Sequence, residues 1–184
     1  IVAHADSAPP RRIALKTGDP WTLLHTSGTT GRPKWCILSH GYYLEQGQTY
    51  ADFLGYSPDD RVFNPLSLYH ANPQVYLVIG SLCANATMIT ARRFSASAFW
   101  DQVREFRATI AILHMAPVEF LKKQPQRPNE RDHSLRLTFI PDREFMERFS
   151  IKVSVGGYGL TEAALVVFQQ FRLPLTGKAT KMER

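Results

Sequence analysis

Only two cysteines, Cys36 and Cys83, occur in 184 residues. They are far apart, with no Cys-x-x-Cys spacing and no histidine-rich neighbourhood. That argues against a disulfide framework or a zinc site and fits a reducing compartment. No apolar run approaches the length of a membrane span, and the opening IVAHADSAPPRR lacks the basic-then-apolar order of a secretion signal. A soluble, cytoplasmic protein is therefore expected. Charge is present but not gathered: the formal net charge is +6, yet the basic residues fall in short pairs such as Arg92-Arg93 and Lys122-Lys123. A nucleic-acid binder needs a clustered basic face, so nucleic acid is not expected as a partner. Internal repeats are absent as well.

What is present is ordinary in bulk. Hydrophobic residues make up 44% and charged residues 21%, and the length suits one domain able to bury a core without staples. Because it begins on Ile1 rather than Met, the chain is expected to be an excised piece. Residues 1–20, rich in Ala, Pro and Arg, read as an irregular lead-in. Residues 21–168 carry the patterned part, and 169–184 read as a basic tail.

Within the patterned part, β-prone runs alternate with helical ones. Residues 21–26 and 35–38 are short strands around the segment HTSGTTGRPKWC (25–36). Ser39 is placed to cap a helix over 40–54. Strands follow at 61–64, 86–90, 108–113, 135–140 and 151–155. Helices are expected over 73–84, from a Ser95 cap through SASAFWDQVREFR, over 118–123 and over 142–149. This alternation predicts an α/β fold, a largely parallel sheet flanked by helices. Ligands in such sheets gather at loops beyond the carboxyl ends of the strands. Three loops qualify: 26–34, 65–74 and 156–162.

The first loop offers hydroxyls at Thr26, Ser27, Thr29 and Thr30, exposed backbone at Gly28 and Gly31, and the Lys34 ammonium. Glycine lets the backbone approach phosphate oxygens, successive amides form an anion-binding concavity, and lysine supplies a mobile cation. The spacing does not match GxxxxGK[ST], which excludes a Walker site. A solvated Ser/Thr/Gly turn has the same composition. In the second loop, PLSLYHAN places His70 and Asn72 just past a strand, where a histidine is either structural or functional. In the third, Tyr158 stands between Gly157 and Gly159, able to lay its ring against a base. Thr161 and Glu162 follow, able to hold a phosphate oxygen and a Mg²⁺ ion respectively. Alone, GYGLTE also fits a helix N-terminus with a Thr-Glu cap.

HTSGTTGRPK resembles the phosphate-loop signature of the adenylate-forming (AMP-binding) superfamily, the acyl-CoA ligases and their relatives. PLSLYHANPQ resembles that family's second core motif, and GYGLTE its Tyr-Gly-x-Thr-Glu motif, all in the family's order. FSASAFWDQVREFRATI and KQPQRPNERDHSLRL are most similar to the crotonobetaine/carnitine–CoA ligase branch. The resemblance covers roughly residues 20–165. It implies ATP-dependent activation of a small-molecule carboxylate to an acyl-adenylate, followed by transfer to coenzyme A. It further implies that Thr26 to Lys34 cradle the β/γ-phosphates, that His70 and Asn72 border the acyl pocket, and that Tyr158 stacks on adenine. Thr161 would bind phosphate, and Glu162, with Thr29, would hold Mg²⁺. Lys34, Thr161 and Glu162 are the expected catalytic set, with ATP or AMP, Mg²⁺ and coenzyme A as the small molecules.

The chain also departs from the family's pattern. The segment that normally precedes the phosphate loop, the ribose-binding aspartate and the hinge to a mobile C-terminal domain are not identifiable. LPLTGK (173–178) resembles the catalytic-lysine motif of that domain with residues deleted, which makes Lys178 a further candidate. Trp35 stands where the family usually has glycine after the motif lysine, and it either packs under the loop or crowds it. Pro141 follows Ile140 at once, where the family has a longer Gly-rich loop. Two readings stay open: an incomplete acyl-CoA ligase that binds nucleotide at most, or a non-catalytic nucleotide-binding or interaction protein on the same scaffold.

Overall fold

A computed structural model describes residues 12–26, 34–172 and 180–181. The chain opens with a two-stranded antiparallel hairpin, β1 (Pro20–His25) and β2 (Trp35–Ser39), in which His25 faces Trp35 and Leu24 faces Cys36. The two strands expected on either side of the 26–34 segment are thus present and paired. Helix α1 (His40–Leu54) follows at once. Ser39 Oγ accepts from the Tyr42 amide at 3.1 Å, and Gly55 ends the helix in the left-handed region at φ 59°. Ser39 is the cap the sequence advertised, and Gly55 is a left-handed stop of the kind that ends many helices.

The main sheet has the order β4-β3-β5-β6-β7-β8-β9. Strands β3 (Arg61–Asn64), β4 (Thr87–Thr90), β5 (Ile110–Ala111), β6 (Leu137–Phe139) and β7 (Val153–Leu160) run parallel, as predicted. β8 (Ala164–Arg172) and the short β9 (Thr180–Lys181) add antiparallel partners. β8 was not among the expected strands, and it crosses the 168/169 boundary.

Alternation along the central strands feeds two cores, one on each face of the sheet. On one face, Val62, Ile110, Ile112, Leu137 and Val155 meet Tyr43, Tyr50 and Leu54 of α1. The helical run over 71–83 lies on that face too, built from α2 (Ala71–Pro73), a π-helical stretch (Gln74–Ile79) and α3 (Gly80–Cys83). It approaches α1 so closely that a Cβ built on Gly47 would collide with the Ile79 side chain. On the other face, Phe63, Ala111 and Leu113 meet α4 (Phe99–Glu105), α5 (Met115–Lys122) and α6 (Arg143–Phe149). Helix α4 begins at Phe99, so Ser95 does not cap it; the Ser95 hydroxyl pairs with Ser97 at 3.2 Å instead.

At the amino ends of the strands, Asp60 is buried and ties three elements together. Arg136 grips its carboxylate with Nε at 2.8 Å and Nη2 at 2.7 Å. Thr109 Oγ1 donates at 2.6 Å and the Ser57 amide at 2.9 Å. This cluster leaves the opposite, carboxyl ends free for a site.

Candidate functional site

Strand order fixes where that site forms. From β3 the chain goes outward to β4, then returns to the other side of β3 as β5. The loops leaving β3 and β5 therefore diverge and open a crevice at their carboxyl ends, where α/β sheets bind ligands. A cavity of about 490 Å³ lies there. His70 and Asn72 line it from the β3 side, His114 from β5, Ile140 from β6, and Gly156, Gly157, Gly159 and Thr161 from β7 and its end. Tyr76 and Phe139, with ring centroids 4.8 Å apart, supply aromatic surface.

Two of the three expected loops thus meet in one cavity. The third segment in sequence, however, is not a loop over most of its length: residues 156–160 continue β7, and only 161–163 turn, closed by the Ala163 amide on the Leu160 carbonyl at 3.3 Å. A strand and turn, rather than a helix N-terminus, carry GYGLTE. Gly157, Gly159 and Thr161 line the cavity, whereas Tyr158 lies outside its lining, 63% exposed and opposite Val167 of β8. Glu162 is exposed on the turn.

At the hairpin, the Thr26 amide donates to the Lys34 carbonyl at 2.9 Å, closing the base of the phosphate-loop segment. Lys34 is exposed. Ser27, Gly28, Thr29, Thr30, Gly31 and, at the other end, Lys178 lie outside the described residues. Trp35 does not pack under the loop base: it is 67% exposed, edge-on to His25 with ring centroids 5.8 Å apart.

The hairpin and the GYGLTE turn are tied directly. The Tyr42 hydroxyl, in the first turn of α1, donates to the Thr161 carbonyl at 3.0 Å. Burial first, then the nearby Glu162 carboxylate, push the Cys36 thiol of β2 above its ordinary range. So Thr161, expected to act with the 26–34 segment, is held by a residue of the helix just after it.

His114 was missed by sequence reasoning. It caps α5, is half-buried, and faces His70; burial, then the His70 imidazole, lower its proton affinity below the usual range. A histidine directly after the apolar run Ile110–Leu113 was the available signal. Ile140 is the second omission: its backbone is left-handed at φ 70°, an uncommon state for a β-branched residue.

A largely parallel sheet between helices, with a cavity at the strand switch lined by a Tyr-Gly-x-Thr-Glu segment, defines the class of adenylate-forming enzymes. The chain belongs to the AMP-binding enzyme family, whose model matches residues 2–183. A crotonobetaine/carnitine–CoA ligase of Salmonella agona (strain SL483) is 32% identical over 156 residues, 81% of this chain and 30% of that protein. Long-chain fatty acid transport protein 5 of Homo sapiens is 35% identical over 141 residues, 73% of this chain and 20% of that protein. Among solved structures, apo MatB from Rhodopseudomonas palustris superposes with a TM-score of 0.75 at 23% identity, over 89% of this chain and 34% of that one. The o-succinylbenzoate coenzyme A synthetase from Bacillus subtilis, in complex with ATP and magnesium ion, gives 0.73 at 24% identity, over 89% and 35%. The chain thus spans about a third or less of the length of these relatives.

Proposed function

We propose that this chain is the nucleotide-binding part of an acid–thiol ligase, which activates a carboxylate with ATP and passes the acyl group to coenzyme A. The observation that carries this reading is the meeting of two family motifs, through His70 and Asn72 and through Gly157 and Thr161, in one cavity. In the reaction so read, a carboxylate oxygen bonds to the α-phosphorus of ATP as the bond to pyrophosphate breaks. The coenzyme A sulfur then bonds to the acyl carbon and AMP leaves. Such steps are catalysed mostly by positioning and charge neutralisation.

Each residue has a definite task. Lys34, at the base of the hairpin, neutralises phosphate charge together with the backbone of 27–31. Thr161 presents its hydroxyl to a phosphate oxygen, and Tyr158 offers a ring face to adenine. The cavity wall of His70, Asn72, Tyr76 and Phe139 receives the acyl group. For Mg²⁺, the donor set fits: the exposed Glu162 carboxylate is a hard oxygen ligand beside a cavity-lining residue. Among the described residues no three acidic, histidine or cysteine side chains form a metal cluster. One carboxylate plus substrate phosphates is the ligand set Mg²⁺ commonly takes, and Thr29 is the second candidate donor. Bound there, the ion would neutralise phosphate charge.

ATP–pyrophosphate exchange with a panel of carboxylates, run beside a nucleotide titration, tests the reading. Exchange that depends on one class of acid and is abolished in Lys34→Ala and Glu162→Ala supports it. Nucleotide binding without exchange for any acid favours a non-catalytic nucleotide-binding role. No binding of ATP at millimolar concentration overturns both.

A further inference from the structure

We infer that His114 sets which acid the cavity accepts: a compact monocarboxylic acid whose flat, uncharged body carries a hydrogen-bonding substituent such as a hydroxyl. This names the substrate class of the acyl pocket proposed above and rests on that reading. The pocket has an apolar floor and a polar margin. Tyr76, Leu113, Phe139 and Val155 form the floor and are all buried, with the Tyr76 and Phe139 rings 4.8 Å apart and inclined at 33°. Such a surface favours an aromatic or other flat apolar body. Ile140 bounds it from the β6 side. Gly157 and Thr161 belong to the nucleotide side of the same cavity of about 490 Å³, so only part of that space is left for the acid. A ring fits there better than a long chain.

The polar margin is His70, Asn72 and His114. The two histidines stand at the N-cap positions of α2 and α5, yet neither ring caps its helix. None of the three side chains forms a hydrogen bond with another described residue. His70 and Asn72 are exposed, so water satisfies them, whereas His114 is half-buried. Its neutral ring keeps one donor and one acceptor nitrogen for whatever enters. A partly desolvated group of this kind penalises a ligand that cannot meet it. Charge is the second filter. Among the described residues no Asp, Glu, Lys or Arg lines the cavity. An ionised group on the acid's tail would lose hydration there with no opposite charge to replace it. Nor does His114 supply that charge at neutral pH, since burial and then His70 hold its proton affinity below the ordinary range.

Ligand-observed NMR titration of the 184-residue chain tests this with benzoate, 3- and 4-hydroxybenzoate, succinate and 4-(trimethylammonio)butyrate. The better of the two hydroxybenzoates is expected to bind about fivefold more tightly than benzoate, the worth of about one hydrogen bond. Both kinds of aromatic acid should bind more tightly than the two acids with charged tails. His114→Phe keeps a ring but removes both nitrogens, and should bring the ratio of hydroxybenzoate to benzoate affinity down to about one. His114→Gln, which restores a donor and an acceptor, should recover part of it. A merely structural role for His114 would weaken the aromatic acids alike and leave their ratio standing. An unchanged ratio in His114→Phe, or tighter binding of either charged-tail acid, overturns the inference. Titration of ATP alongside separates it from the reading it rests on. ATP binding with no acid bound sinks the inference and spares the nucleotide site. The expected acid selectivity without ATP binding keeps His114 as the selector and removes the ligase reading; neither ligand bound removes both.

Discussion

Gly156 of β7 lies against the ring of Pro141. A Cβ built on Gly156 would fall 2.8 Å from Pro141 Cγ and 2.9 Å from its Cδ. The link from β6 to α6 is short, so Pro141 is drawn onto the neighbouring strand where the resembled family has a longer loop. Glycine is needed here for space, not for its backbone freedom.

Gly156→Ala is accordingly expected to destabilise the chain by about 1–3 kcal/mol, the range for forcing a methyl group into a filled site. Both contacts are ring atoms of Pro141, so Pro141→Ala in the same background should recover much of the loss. A double-mutant cycle by urea unfolding measures this. Additive effects would show that the clash lies elsewhere.

Asp60 governs the acid limb of stability. Burial alone would raise its pKa, but the hydrogen bonds and charge of Arg136 with those of Thr109 and Ser57 bring it down to about 2 from 3.8. A carboxylate depressed in the folded state stabilises above its unfolded value and loses that contribution as pH falls through the folded value. The shift corresponds to about 2 kcal/mol, fully present above about pH 5 and roughly half gone at pH 3. Unfolding at pH 7 and pH 3 should show Asp60→Asn less stable than the parent at pH 7, with the gap narrowed at pH 3. An undiminished gap would count against this origin.

His114 should titrate below an ordinary histidine because burial, then His70, disfavours its charged form. A two-dimensional NMR pH titration of the imidazoles checks this. Replacing His70 with Gln removes one lowering influence, and the His114 midpoint should rise. The sign for stability follows: the unfolded chain binds this proton more readily, so His114 reduces stability as pH falls below the ordinary value of 6.5. An unmoved midpoint in His70→Gln would separate the two rings.

Much of the frame that places these residues was legible in the chain. Ser39 caps α1, Asp142 caps α6 through the Phe145 amide at 2.8 Å, and the β-prone runs became the parallel strands. Local chemistry decides such features, so local reading finds them. The misses were set by distant partners. Residues 156–160 are rich in glycine and read as a loop, but pairing with β8 over eight register positions makes them a strand. The helix over Gln74–Ile79 was expected, but its π-helical winding and its close crossing with α1 at Gly47 were not. Within the site, motif residues were readable one by one; the tie Tyr42–Thr161 joins positions more than a hundred residues apart and was not.

Ile140 carries the last prediction. It follows β6, lines the cavity, and is left-handed at φ 70° immediately before Pro141. Its amide donates to the Val155 carbonyl and its own carbonyl accepts from the Asp142 amide, both at 2.9 Å, which holds the backbone in this state. A left-handed backbone costs a residue with a Cβ about 1–2 kcal/mol, and glycine escapes that cost. Ile140→Ala removes the half-buried side chain while keeping the strain, whereas Ile140→Gly removes both. Glycine should therefore be the more stable of the two replacements by about 1 kcal/mol, reversing the order found in helices and strands. Urea midpoints of the pair decide it. If Ile140→Ala were the more stable variant, the two hydrogen bonds would not be holding a strained residue, and the tight β6–α6 connection would have to be fixed by Pro141 alone.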